Sequence, residues 1–180
     1  MAAGPLIETP RLILRPPRAE DLDGFCALMA DEASAKFIGG VQPRAAVWRT
    51  LCLMSGAWTI RGYSMFSVIE KASGKWIGRL GPWQPEGWPG TEVGWGLLTS
   101  AQGRGYAAEG ASAAMDYAVD ILGFTEIIHC IDPKNTPSIK VAERLGSRRL
   151  REATAPAPFT DIIWDVYGQT ADAWRARRQG

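Results

Sequence analysis

A glycine-rich stretch at the start of a long helix pattern is the part of this sequence best suited to chemistry. A strand pattern ends near Leu97, a short loop follows, and residues 102–107 (QGRGYA) open the helix. Successive small residues at a helix start expose backbone N–H groups, and the helix dipole adds partial positive charge there. The stretch therefore predicts a phosphate or pyrophosphate site, to which Arg104 can add a charge-assisted contact. A plain glycine-rich helix start is the alternative.

The same glycines also fit a dinucleotide-binding fingerprint. Gly103-x-Gly105-x-x-Ala108 has the required spacing, and Asp132 stands where the next strand pattern ends. In that fingerprint the strand runs straight into the first glycine, whereas residues 98–102 intervene here. Too few residues follow Gly103 for a doubly wound domain and a substrate region. A dinucleotide-binding oxidoreductase is therefore the less favoured alternative.

Strand and helix patterns alternate around this stretch. Apolar alternation predicts strands over 11–15, 63–70, 76–80, 91–97, 127–131, 147–151 and 159–167, with a hairpin joining the second and third. Helical spacing predicts helices over 21–29, 43–55, 105–122, 136–145 and 170–178, and the prolines of 82–90 predict a loop. The long helix should place one stripe on the sheet, made of Ala107, Ala111, Ala114, Ala118 and Ile121. This order predicts an α/β or α+β fold with helices on both faces of one sheet, in a single domain over 1–180.

Composition and charge exclude several classes of protein. The 180 residues carry 20 basic and 19 acidic side chains, so no strong field is present to bind nucleic acid. Neither a signal-peptide pattern nor a membrane-spanning apolar run is found, which predicts a cytoplasmic protein with no membrane partner. Cys26, Cys52 and Cys130 are widely spaced and odd in number, which argues against a disulfide framework and against a metal site.

Three motifs in register resemble the GNAT superfamily of N-acetyltransferases. Gln102-x-x-Gly105-x-Ala107 looks like the acetyl-coenzyme A signature of that superfamily. The opening segment 8–15 (ETPRLILR) and the later segment 135–146 (NTPSIKVAERLG) resemble its ribosomal-protein acetyltransferase branch. The likeness covers about residues 7–168, in the expected order.

The resemblance implies a mostly antiparallel central sheet that is splayed around 91–97, with the pantetheine arm of acetyl-coenzyme A in the gap. Gly94 and Gly96 suit this, since glycine inside a strand marks bulges and close backbone approach. The backbone of 97–99 would bind the pantetheine, 103–107 the pyrophosphate, and Asn135 the thioester end. The implied coenzyme-binding residues are Leu97, Leu98, Thr99, Gln102, Gly103, Arg104, Gly105, Tyr106, Ala107, Asn135 and Lys140. For Asn135, a helix cap is the alternative.

The chemistry implied by the resemblance is direct attack of a neutral amine on the thioester. Glu92 stands where the family often has a general base that acts through water, and a solvated strand carboxylate is its alternative. Many relatives have a tyrosine acid seven residues after the motif asparagine, but Ala142 occupies that position. Ser138 fits the ribosomal-protein branch as the group that protonates the thiolate, or is simply a first-turn residue. A phenylalanine usual after the helix-ending glycine is replaced by Ser147, which bears on local packing.

Other nucleophilic mechanisms lack the side chains that they require. His129 is the single histidine, and strand alternation points it away from Cys130, so neither a Cys–His pair nor a Ser–His–Asp triad can be completed. His129 is predicted to be structural.

The acceptor is weakly specified by the sequence. Trp83 and Trp88 form either a substrate wall or a rigid aromatic turn. An α-amine with a pKa of ~7.7–8.0 loses its proton far more easily than lysine at ~10.4, which favours a protein N-terminus or small α-amine. A monomer or homodimer, and a non-catalytic acyl-coenzyme A sensor on the same fold, stay open.

Overall fold

The computed structural model describes residues 4–157 and 160–179. Within them lies one eight-stranded sheet in the order β1-β2-β3-β4-β5-β6-β8-β7. The strands are β1 (Ile7–Glu8), β2 (Leu12–Arg15), β3 (Phe66–Glu70), β4 (Trp76–Trp83), β5 (Glu92–Leu97), β6 (Glu126–Ile131), β7 (Arg148–Thr154) and β8 (Ile163–Thr170). Neighbouring strands are antiparallel except for β5 and β6, which are parallel. The predicted mixed sheet is confirmed, and a doubly wound dinucleotide-binding sheet is excluded. The predicted first residue of the last strand, Phe159, lies outside the described residues.

Six α-helices accompany the sheet in the described chain. They are α1 (Leu22–Ala30), α2 (Glu32–Ala35), α3 (Arg44–Ile60), α4 (Tyr106–Asp120), α5 (Thr136–Arg144) and α6 (Ala171–Gln179). Local sequence explains the ends of α5: the Asn135 side chain accepts from the Ser138 N–H at 3.2 Å, and Gly146 takes a φ of 89° after the last turn. No helix in the described ranges is both long and apolar enough to cross a membrane.

Helix α4 packs closely on one face of the sheet. Ala111, Ala114 and Ala118 are fully buried, and a Cβ added at Gly110 would lie 2.5 Å from Leu80 Cδ2. Small side chains let the helix approach the strands, as the alanine stripe predicts. The prediction for Ile121 is wrong: the helix ends at Asp120, and Ile121 is 72% exposed.

Helices α1 and α3 cover the opposite face. Phe25, Leu28 and Met54 are buried there in a cluster that also holds Met65 and contacts Trp76. The packing of α4 on one face and of α1 and α3 on the other confirms the prediction of helices on both faces of the sheet.

The sheet forks between β5 and β6. These strands pair in register only at Glu92 and Ile128. Beyond that point two side chains take up the hydrogen bonds of the ladder: Glu92 Oε1 accepts from the Cys130 N–H at 3.0 Å, and His129 Nδ1 lies 2.7 Å from Val93 O. The splay predicted at this strand is confirmed, and its physical cause is this substitution of side chains for backbone partners.

The predicted loop over 82–90 begins too early. Pro82 and Trp83 still belong to β4, where they pair with Val93 and Glu92. The pairing of β3 with β4 ends at Leu80, so the nitrogen of Pro82 needs no ladder partner on that side. Trp83 is therefore held by a strand, and Trp88 alone of the two lies in the loop.

Candidate active site

Glu92 is the buried carboxylate at the fork. Its side chain is 6% exposed, and both oxygens are engaged: Oε1 with the Cys130 N–H and Oε2 with Trp88 Nε1–H at 2.5 Å. Burial raises the pKa of Glu92 to about 7, although the two N–H donors and the positive charge of Arg79 act in the opposite direction. The predicted alternative of a solvated strand carboxylate is therefore wrong. A carboxyl group whose pKa is close to neutrality can exchange protons near pH 7.

A cavity of about 530 Å³ opens in front of Glu92. Its walls include three indole rings from different elements, with the Trp88 and Trp164 centroids 4.9 Å apart and those of Trp83 and Trp88 6.4 Å apart. The cavity has the size and the mixed apolar and polar lining expected of a small-molecule site. Trp83 and Trp88 both line this cavity, and their contact with an acceptor stays a prediction.

Ser138 and Asn135 line the same cavity from the start of α5. Trp95 Nε1–H donates to Ser138 Oγ at 3.2 Å, so the serine oxygen is already an acceptor and its own O–H proton is available to another group. Asn135 caps the helix through its Oδ1, as the alternative interpretation of this residue proposed. The fold therefore brings Glu92 together with Asn135 and Ser138, which belong to a distant part of the sequence.

The glycine-rich loop lies at the other end of β5 and does not line this cavity. Gly103 and Gly105 have φ angles of 72° and 81°, a region that residues with a Cβ rarely adopt. Gly105 is the N-cap of α4, so the backbone N–H groups of the first turn have no partner within the helix. A Cβ at Gly103 would meet nothing within 4 Å, which leaves the backbone of the loop accessible.

Several side chains predicted to bind the coenzyme are occupied within the protein. Gln102 Nε2–H donates to Leu97 O at 2.9 Å, which closes the turn between β5 and α4. Arg104 pairs with Glu70 at 3.1 Å, and the buried Tyr106 hydroxyl donates to the same carboxylate at 2.5 Å. These contacts fix the loop, so what the loop offers to an anion is chiefly its backbone.

The remaining predicted coenzyme residues surround this loop. The Leu98 N–H donates to Ile77 O at 2.9 Å, the Thr99 hydroxyl donates to Asp31, and Ala107 is a partly buried first-turn residue of α4. Lys140 is exposed on α5. Their contacts with a coenzyme stay predictions.

Residues 11–148 match the family model described as an acetyltransferase (GNAT) domain. That range is more than half of the chain. The chain belongs to the GNAT acetyltransferase family.

Individual relatives agree with this assignment. The chain is 30% identical to an uncharacterized N-acetyltransferase, p20, of Bacillus licheniformis over 145 residues, which cover 78% of this chain and 81% of the relative. Two further curated relatives match over shorter stretches, and there the chain spans about half of their length. A crystal structure of an acetyltransferase from Agrobacterium tumefaciens is 30% identical, with a TM-score of 0.82 over 93% of this chain and 95% of that one. The chain is accordingly an acyltransferase of the GNAT family.

More distant neighbours share the fold. Mycobacterium smegmatis RimJ, solved in complex with CoA-disulfide, is 18% identical with a TM-score of 0.70 over 93% of this chain and 89% of that one. At this identity the likeness concerns the fold alone. The comparison therefore concerns architecture, and acceptor contacts have to be derived from this chain.

His129 is structural in this GNAT chain, as predicted. Because Val93 O can only accept, Nδ1 carries the proton, and Nε2 accepts from the Ser147 hydroxyl at 3.0 Å. The serine oxygen in turn accepts from Gln169 Nε2–H at 3.0 Å. Burial lowers the pKa of His129 to about 4, so the ring is neutral near pH 7. Ser147, which replaces the usual phenylalanine, completes this buried network.

Among the described residues no cluster of side chains could hold a metal ion.

The lining residues that the sequence did not predict include Met65, Arg79, Trp95 and Trp164. Arg79 left a signal, since it is the one charged residue in the apolar strand pattern around it. Strand alternation also places it on the opposite face from the buried Leu80. The other three carry no local signal, because their meeting depends on the pairing of distant strands.

Proposed function

We propose that this GNAT chain is an acetyl-coenzyme A-dependent N-acetyltransferase that moves an acetyl group onto a primary amine by direct attack. Glu92 carries the proposal: it is a buried carboxylate with a pKa of about 7 that faces a cavity at the fork of the sheet. When bound, acetyl-coenzyme A supplies the acetyl group as a thioester. The cavity is then the place where an amine meets that group.

The residues at the fork fit coenzyme A. Gly103 and Gly105 keep open a loop whose first-turn N–H groups suit a pyrophosphate, and β5 has no ladder partner on β6 beyond Glu92. We propose that the backbone of 97–99 holds the pantetheine arm and that 102–107 holds the pyrophosphate. Asn135 and Lys140 would complete the contacts from α5.

Glu92 would take the proton of the amine, directly or through water. Moving a proton to a carboxylate with a pKa of about 7 costs about 1 kcal/mol when it comes from an α-ammonium with a pKa of ~7.7–8.0. The same transfer from a lysine ammonium with a pKa of ~10.4 costs roughly 4–5 kcal/mol. The difference supports an α-amine, of a protein N-terminus or a small molecule, over a lysine side chain. Ser138, whose oxygen already accepts from Trp95, would give a proton to the departing thiolate.

The acceptor would lie against Trp83 and Trp88. We further propose that residues 1–180 act as a single domain, as a monomer or homodimer in the cytoplasm, where a reducing environment suits the free thiols of Cys26, Cys52 and Cys130.

The test is release of free coenzyme A thiol from acetyl-coenzyme A in the presence of amines. The panel comprises N-terminal peptides, amino acids, polyamines and aminoglycosides. We expect release that depends on one class of amine, together with a higher melting temperature in acetyl-coenzyme A but not in NADH. A raised melting temperature with no release for any amine would instead identify an acyl-coenzyme A sensor.

A further inference from the structure

Arg79 places a cation in the wall of the acceptor cavity, and among the described residues no carboxylate lies within ion-pair distance of it. It lies on β4 and is partly buried, and within the described residues it forms no ion pair. Its guanidinium contacts the Met65 thioether, which is a weak acceptor. A desolvated guanidinium whose donors are not matched by an oxygen acceptor is costly to keep in a fold.

Strand register explains why Arg79 is free to reach a ligand. Arg79 pairs with Gly96, and Trp83 pairs with Glu92, so all four residues belong to one face of the β4–β5 pair. Between Glu92 and Gly96 on that face stands Gly94, where a Cβ would lie 2.9 Å from Met65 Cε and 3.3 Å from Glu92 Oε1. The floor between the cation and the carboxylate therefore carries no β5 side chain.

Near pH 7 the guanidinium at one end of this floor is charged, and the Glu92 carboxyl at the other end is partly ionised. Burial lowers the pKa of Arg79 to about 10, and the charge of Glu92 partly offsets this, so the guanidinium stays protonated. Glu92 already accepts two N–H bonds, from Cys130 and Trp88, and forms no ion pair with Arg79. The guanidinium fork is left to bind an anion that arrives with the substrate, and its geometry matches a carboxylate.

We propose that the amine acceptor also carries a carboxylate, which Arg79 binds while the amine faces Glu92. This inference rests on the proposed function and narrows its substrate class. The carboxylate belongs either to a free amino acid or to an acidic side chain at the start of a peptide. The indole rings of Trp88 and Trp164 would pack against the apolar part of that acceptor.

The experiment compares acceptors that share a side chain and differ in the carboxylate. Because amidation also lowers the pKa of the amine, the acid-to-amide ratio is compared between variants rather than read from one enzyme alone. Phenylalanine and leucine are assayed against phenylalaninamide and leucinamide, and a peptide that begins with aspartate against one that begins with asparagine. We expect the acid-to-amide ratio of kcat/KM to be on the order of 10- to 100-fold higher in wild type than in Arg79→Gln. In Arg79→Lys the ratio should lie between these two values. Arg18→Gln, which removes an exposed arginine 59% accessible to solvent, should leave the ratio unchanged.

Because the acid and the amide are assayed on the same variant, a general loss of activity in Arg79→Gln lowers both values and leaves their ratio unchanged. An acid-to-amide ratio that is the same in wild type and in Arg79→Gln would overturn the inference while leaving acetyl transfer established. A binding measurement covers the case in which no amine is turned over. In the presence of coenzyme A, the free acids should raise the melting temperature more than the amides do in wild type but not in Arg79→Gln, and equal shifts would refute the role of Arg79.

Discussion

The two ends of β5 present a ligand with different kinds of chemistry. At its C-terminal end, the loop 102–107 offers backbone N–H groups, and its side chains are turned inward to Glu70 and Leu97. At its N-terminal end, the cavity offers side chains: a buried carboxylate, a guanidinium and a set of indoles. The first arrangement suits a ligand that every member of a family shares, and the second can change with each acceptor.

The contrast also separates affinity from rate. Backbone groups of the loop would hold the coenzyme whether or not an amine is present, because their positions follow from two glycine φ angles and a helix start. Glu92 would contribute only when an amine loses its proton. Variants at the two ends should therefore change different measured quantities.

The largest effect should come from Glu92→Gln. This change keeps the shape of the side chain but removes its ability to accept a proton, so kcat should fall by roughly 10²–10⁴ near neutral pH. The dissociation constant of acetyl-coenzyme A, measured by calorimetry on the same preparation, should stay nearly unchanged. Glu8→Gln makes the same chemical change at an exposed carboxylate, 58% accessible and paired with Lys71, and should retain wild-type rates.

A smaller effect, on binding alone, should follow from Gly105→Val. A β-branched residue at a φ of 81° strains the N-cap of α4 and adds bulk where backbone would meet the pyrophosphate. The affinity for acetyl-coenzyme A should fall roughly 100-fold, as expected for losing several charge-assisted hydrogen bonds.

Gly123→Val is the matched control for that change. Gly123 has a similar φ of 71° but follows the opposite end of α4. A Cβ there would meet nothing within 4 Å, whereas a Cβ at Gly105 would lie 3.3 Å from Arg11 Nη2. It should cost stability without changing coenzyme affinity. If Gly105→Val bound acetyl-coenzyme A normally, the anion site would have to lie elsewhere in the molecule.

The smallest effect should be that of Trp88→Phe. The ring is kept, but the N–H that donates to Glu92 Oε2 is lost, so the pKa of Glu92 should rise further above its ordinary value. Activity should fall about 3- to 10-fold near pH 7 and recover at higher pH, where the carboxyl group ionises again. Trp48→Phe, at a tryptophan 46% exposed on α3, should show no such pH dependence. A uniform loss at every pH would mean that Trp88 acts through shape alone.

The sequence predicted the local features of this fold better than the contacts between residues that are distant in sequence. The alanine stripe of α4, the Asn135-to-Gly146 helix and the fork at β5 were all predicted, because each follows from turn chemistry, small-residue spacing or a family motif. The prediction that Ile121 belongs to the buried stripe was wrong because the apolar spacing continued one residue past the point where the helix ended. Trp83 was assigned to a loop because its neighbour Pro82 was weighted as a strand breaker.

The cavity at the fork was predicted only in part. Glu92, Ser138 and the two tryptophans near β5 were identified, but Met65, Arg79 and Trp164 were not. Their positions depend on which strands pair and in which register, and those are properties of the assembled sheet rather than of any local segment. The raised pKa of Glu92 has the same origin, since it results from burial by elements distant in sequence.

The pH dependence of kcat in wild type and Glu92→Gln tests the central claim most directly. With saturating acetyl-coenzyme A and one accepted amine, measured from about pH 6 to about pH 10, the wild-type rate should rise and then level off near pH 7. The Glu92→Gln rate should lack this bend and should climb as solvent neutralises the amine, so that the gap between them narrows at high pH. Wild-type rates in Glu92→Gln across that range would contradict the account and would remove Glu92 as the base.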